Sequence, residues 1–127
     1  MLKLLTNFAV FALCVHGLIH LMGTVVYTGL GSVEGLPYKT TLADRWNVGV
    51  PGITLFGALW GVAGAGFVAA GIGLASNAPW WITATAGAAL LSLLLSLLDW
   101  RVAYMGAAVD LTVLAAVAMA VMLPWRG

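Results

Sequence analysis

Three features of this sequence predict an all-α membrane protein: a four-transmembrane-helix bundle with short connections and one longer polar loop between helices 1 and 2. The 127 residues are 63% apolar and only 7% charged, with a mean hydropathy of +1.08. A soluble domain carries about 25% charged residues, and a chain this poor in charge would present a large aggregating surface to water. Between Arg45 and Asp99 there is no Asp, Glu, Lys or Arg. As one helix that stretch would run roughly 80 Å, far beyond a hydrocarbon core of about 30 Å, so it must cross twice. The third feature is glycine, which recurs within the apolar runs at spacings that suit close helix packing in lipid.

The first span covers roughly residues 4–27. Lys3 ahead of an apolar run has the look of a signal peptide, but no small-x-small cleavage site follows and His16 and His20 interrupt the run, so it reads as a retained helix. Residues 28–47 form the polar loop, with Gly29, Gly31, Gly35 and Pro37 among Glu34, Lys39, Asp44 and Arg45. These charges are most simply solvated. The second span, about 50–74, has Pro51 in its first turn, where the missing N–H costs nothing. Ser76-Asn77-Ala78-Pro79 is a turn signal, and Trp80-Trp81 is an interfacial anchor opening a third span over 82–98. The fourth, 102–123, ends before another interface signature, Pro124-Trp125-Arg126. The turn between spans three and four sits at Asp99-Trp100-Arg101 or extends to Gly106. The longer turn would leave a span near the lower limit for a crossing and make Asp110 a local cap.

Gly57, Gly61, Gly64, Gly66, Gly71 and Gly73 line the second span, and Ala84, Gly87, Ala88, Ala103, Gly106 and Ala107 are placed to pack the third and fourth. A net charge of +1 and the lack of a basic patch exclude nucleic acid as a partner. The partners expected are the lipid bilayer and other membrane chains, or copies of this one. The single cysteine, Cys14, lies among apolar residues and reads as a small filler. Lys3 and Arg126 fall on one side, with Lys39, Arg45 and Arg101 on the other, so the positive-inside rule sets no orientation.

Three polar stripes cross this apolar background. Leu13, His16, Gly17, His20, Gly23 or Thr24, and Tyr27 share a face of the first helix; Thr85, Ala89, Ser92, Ser96 and Asp99 share one on the third. In the longer version of the fourth helix, Ala103, Ala107 and Asp110 share another. Such groups should face one another, because lipid exposure is costly. Measured from the loop end, His20 lies roughly 10 Å deep, His16 roughly 16 Å and Asp110 roughly 12 Å. Two imidazoles four residues apart suit one metal ion. With Asp110, His16 and His20 would supply two nitrogens and a carboxylate, as in non-haem iron sites. A single histidine would serve a haem, pigment or quinone, whereas bis-histidine haem ligation from adjacent turns of one helix fails, because the ligands must reach opposite ring faces. The alternative is packing: neutral His16 and His20 bonded to carbonyls, Ser92, Ser96 or Asp110. Ser92, Ser96, Asp99 and Arg101 complete the expected buried polar cluster, with Asp99 and Arg101 as an interfacial pair.

The stretch His16-Gly17-Leu18-Ile19-His20-Leu21-Met22-Gly23, with Trp80-Trp81 opening the third helix and Ser96, Asp99 and Arg101 at its end, resembles a group of small bacterial four-span membrane proteins carrying permease-like or DoxX-like labels. The resemblance implies the four-span fold and a bacterial cell membrane, and no activity. No catalytic set is evident. The leading functional expectation is a non-catalytic subunit packing in a larger membrane complex or homo-oligomer. The alternatives are a membrane-embedded metal, haem, quinone or pigment binder or redox protein using His16 and His20, and a small oligomeric transporter.

Overall fold

The computed structural model describes residues 1–123; the Pro124-Trp125-Arg126 signature lies outside the described residues. Four helices follow one another as α1 (Leu2–Tyr27), α2 (Gly49–Ala75), α3 (Trp81–Leu98) and α4 (Trp100–Met122). Each holds an 18-residue window of mean hydropathy between 1.8 and 2.0, and each is long and apolar enough to cross a membrane. Their outward faces agree: Phe8, Phe11, Leu55, Val62, Leu90 and Leu111 are all more than half exposed.

The helix ends follow from local chemistry. At the end of α1, Gly29 takes φ +75°, while Leu30 N–H donates to Val25 O (2.9 Å) and Gly29 N–H to Val26 O (3.1 Å). α2 closes the same way with Asn77 at φ 56°, Ala78 N–H donating to Gly73 O (2.8 Å) and Asn77 N–H to Leu74 O (3.2 Å). Both are Schellman closures, in which a left-handed residue lets two N–H groups satisfy orphan carbonyls, and Pro79 then blocks continuation. The α3–α4 corner is a single residue, Asp99 (φ −123°, ψ 36°). The turn therefore does not reach Gly106, and Asp110 lies well inside α4.

α1 packs on α2, α2 on α3 and α3 on α4, each pair antiparallel. The tightest crossing is between α1 and α2. A Cβ on Gly64 would lie 2.6 Å from Gly17 O, and one on Gly17 would lie 2.6 Å from Gly64 O, so two backbones touch where side chains would separate them. Gly87 packs against nothing among the described residues of its own chain: it is exposed, and a Cβ there would meet nothing within 4 Å. The core has two parts. Val26, Tyr27, Ile53, Phe56, Trp60 and Leu95 fill the loop end, and Leu13, Phe67, Ala70, Ala88 and Ala89 the opposite half.

The loop is folded onto the bundle. Thr41–Leu42 and Trp46–Asn47 pair antiparallel around Ala43 and Asp44, both at φ 53°, a turn of the type that matches strand twist. A left-handed alanine costs about 1 kcal/mol. It is held there because Ala43 N–H caps the α3 C-terminus at Leu98 O (2.7 Å).

Gly64→Ala should overpack the α1–α2 crossing and cost about 1–3 kcal/mol. Gly87→Ala should leave the bundle unchanged or slightly more stable. Unfolding titrations of the two variants in mild detergent check the contrast.

Candidate functional site

α1, α3 and α4 each deliver part of one hydrogen-bonded group. His20 (4% exposed), Ser92 (0%) and Asp110 (0%) are buried, and His16 beside them keeps a side chain 13% exposed. His16 Nε2 lies 3.0 Å from Asp110 Oδ1. Ser92 Oγ lies 2.6 Å from Asp110 Oδ2 and 2.7 Å from His20 Nε2. His20 Nδ1 lies 2.7 Å from His16 O, which closes the circuit on α1. The imidazoles meet edge to face at 4.6 Å, with Phe67 4.7 Å from His16 and Trp60 5.0 Å from His20. The i, i+4 spacing sets both rings on one face of α1, and Ser92 and Asp110 arrive opposite each other across the antiparallel α3–α4 pair.

His16, His20 and Asp110 thus come together as a hydrogen-bonded circuit. Both nitrogens of His20 are engaged, by a carbonyl and a hydroxyl, so neither is directed at an ion shared with Asp110. Among the described residues no three His, Cys, Asp or Glu side chains are grouped to hold a metal ion. His16 Nδ1 has no hydrogen-bond partner among the described residues.

A second polar group sits nearer the loop. Asp99 is 2% exposed; it accepts a hydrogen bond from Tyr27 OH, and Lys39 Nζ reaches to 2.5 Å from its Oδ1. Lys39 is therefore not simply a solvated loop charge. It turns inward because a carboxylate buried at the α3–α4 corner needs a counter-charge. Arg101 does not belong to the buried cluster and does not pair with Asp99. Its side chain is 79% exposed and its Nε lies 2.6 Å from Asp44 Oδ2. Asp99 is the corner residue whereas Arg101 lies in the first turn of α4, and Arg101 meets the hairpin while Asp99 faces inward. Ser96 is fully buried, and its hydroxyl, like Trp60 Nε1, has no partner among the described residues.

A cavity of about 290 Å³ joins the two groups. It lies between α1 and α4 and beneath the Glu34-Gly35-Leu36 stretch, with His16, His20, Tyr27, Trp60 and Asp99 in its wall. The half-exposed Ile19 and Met22 of α1 and Met105 of α4 also line it, so it opens on the outer face of the bundle. Gly106 belongs to the wall, with Ser96 Oγ directly beneath, 3.2 Å from where a Cβ would stand. Neither Trp60 nor the pairing of Lys39 with Asp99 is marked by any motif in the sequence. The available signal was Tyr27, on the same face as His16 and His20 and at the depth of Asp99.

No protein family, curated protein or solved structure matches this chain.

Lys39→Ala would strip a buried carboxylate of its cation and should cost about 3 kcal/mol. Asp44→Ala breaks only an exposed pair and should cost less than about 1 kcal/mol. Denaturant unfolding of both variants, compared with the parent chain, measures the difference.

Proposed function

We propose that this chain is a multi-pass membrane protein whose four helices hold a one-sided pocket for a small lipophilic molecule bearing a carbonyl or hydroxyl oxygen, such as a quinone headgroup. The observation that carries this reading is the cavity where α1 and α4 part. It combines apolar walls with polar side chains at their base, the usual make-up of a small-molecule site. Its volume of about 290 Å³ lies just below the range of such sites, about 300–1,000 Å³, which suits a headgroup and not a whole long-tailed molecule. Ile19, Met22 and Met105 would flank an apolar tail leaving toward lipid. His16, whose ring stands in the wall with Nδ1 unengaged, would meet the oxygen. Buried donors without partners are rare, and two belong to Trp60, a residue of the cavity wall, and to Ser96, behind the wall residue Gly106.

The same geometry argues against a path through the bundle. Beyond His16 and His20 the core is Leu13, Phe67, Ala70, Ala88 and Ala89, and Thr85, the polar residue buried in that half, bonds back to Trp81 O at 2.7 Å. The polar groups thus belong to one half, which suits binding better than alternating access.

A second reading, a subunit that associates with other helices, has its own support. Gly87 presents bare backbone on the outer face of α3, and small residues so placed let another helix approach closely.

Titration of the lipid-reconstituted chain with a short-chain benzoquinone, followed by quenching of tryptophan fluorescence, tests the first reading. His16→Ala and Ile19→Trp should each weaken binding about tenfold, or about 1.4 kcal/mol; affinity unchanged in both would reject the pocket. For the second reading, Gly87→Leu should lower association measured by energy transfer between labelled chains, while the unfolding transition stays where it was.

A further inference from the structure

We propose that Asp110, Ser92 and His20 share one stored proton, which exchanges with the cavity through His16. The hydrogens along the circuit require it, whether or not the cavity holds a ligand.

His16 O can only accept, so at 2.7 Å His20 Nδ1 must carry hydrogen. Two links remain, His20 Nε2 to Ser92 Oγ at 2.7 Å and Ser92 Oγ to Asp110 Oδ2 at 2.6 Å. Both lengths are those of made hydrogen bonds. Each link needs a proton, and the serine hydroxyl supplies one. The other must come from His20 Nε2–H or from Asp110 as a carboxylic acid. With an Asp110 carboxylate and a neutral His20, one link would set two lone pairs face to face, and it would lengthen.

Two arrangements satisfy both links. In one, Asp110 is the acid: it donates to Ser92, and Ser92 donates to His20. In the other, His20 is an imidazolium: it donates to Ser92, and Ser92 donates to the carboxylate. They differ by moving two protons one step each, and the trio carries no net charge in either. Neutrality is what burial demands, because an uncompensated charge at a fully buried position is costly.

The groups facing the trio fit this count. α2 contributes the aromatic rings of Trp60 and Phe67 and no charge. α1 contributes His16. Asp99, paired with Tyr27 and Lys39, lies farther along the cavity. Exchange runs through His16, the half-buried member. When the trio lacks its proton, one arriving on His16 Nδ1 allows Nε2–H to pass to the Asp110 carboxylate at Oδ1, 3.0 Å away. A half-turn of the resulting carboxylic acid about Cβ–Cγ then sets its O–H against Ser92 Oγ, and His16 returns to its Nε2–H tautomer by exchange with the cavity. At its far end the circuit returns to a backbone carbonyl, so it holds a proton and does not conduct one onward.

Infrared spectroscopy of the lipid-reconstituted chain at neutral pH, paired with ¹⁵N NMR of its histidines, tests this. Asp110→Asn is the informative variant, because an Asn amide reproduces the acid arrangement, donating to Ser92 and accepting from His16. An exchangeable carboxylic-acid band that Asp110→Asn removes and Asp99→Asn leaves would place the proton on Asp110. A His20 ring protonated on both nitrogens, without that band, would place it on His20; either result supports the proposal. A carboxylate at Asp110 with a singly protonated His20 overturns it. Should Asp110→Asn fail to fold, ¹³C-aspartate labelling of the parent chain and of Asp99→Asn identifies the band instead.

Discussion

Because α4 buries only Ala107 and Asp110, its attachment to the bundle depends on what Asp110 holds. Most of its remaining surface, including Tyr104, Met105, Leu111 and Met119, faces outward, and lipid is as apolar as those side chains, so they provide no drive toward α3. Asp110 reaches α3 through Ser92 and α1 through His16. Hydrogen bonds of this kind are strengthened in a low-dielectric interior, and leaving any of them unmade is costly there. α1 and α2 are fixed differently, by the backbone contact at Gly17 and Gly64, which demands shape and no polar chemistry. The bundle therefore has a close-packed side and a side tied by polar links, and the cavity lies on the second.

That division also explains why the polar groups sit in one half. Each charge that leaves water needs its partners at the same depth, and two helices that part can supply them only from long side chains or from the loop above. Asp99 takes Lys39 from the loop and Tyr27 from α1, while Asp110 takes His16 and Ser92. Among the described residues the opposite half buries no charged group and closes with alanine and phenylalanine. A pocket bounded in this way has polar side chains at its base, apolar walls and an opening on the outer face of the bundle, which is the basis for the proposed binding role.

Much of the helical plan is legible in the sequence because lipid-scale apolar runs and their punctuation are local signals. Asn77 followed by Pro79 marks the α2 closure, and Gly29 marks that of α1. The shared face of His16 and His20 follows from spacing alone, and the depth of Asp110 from counting residues back to the corner. The α3–α4 corner itself was ambiguous, because a one-residue turn leaves no cluster of turn residues to read. The loop was the least legible part. Its hairpin turns at Ala43-Asp44, without the glycine or asparagine that usually marks left-handed backbone, and is held by Leu98 O and Arg101, contacts distant in sequence. The inward reach of Lys39 was hidden for the same reason, since a lysine among loop charges looks solvated until the carboxylate it neutralises is placed. Gly87 shows the converse: small residues signal close packing, but not whether the neighbour belongs to the same chain.

The most direct test is native mass spectrometry of the chain extracted from its own membranes in mild detergent. The binding role predicts the 13.2 kDa chain, alone or as copies of itself, carrying one lipophilic small molecule per chain. A chain that flies bare, or that travels in fixed ratio with other subunits and carries no such molecule, would contradict it.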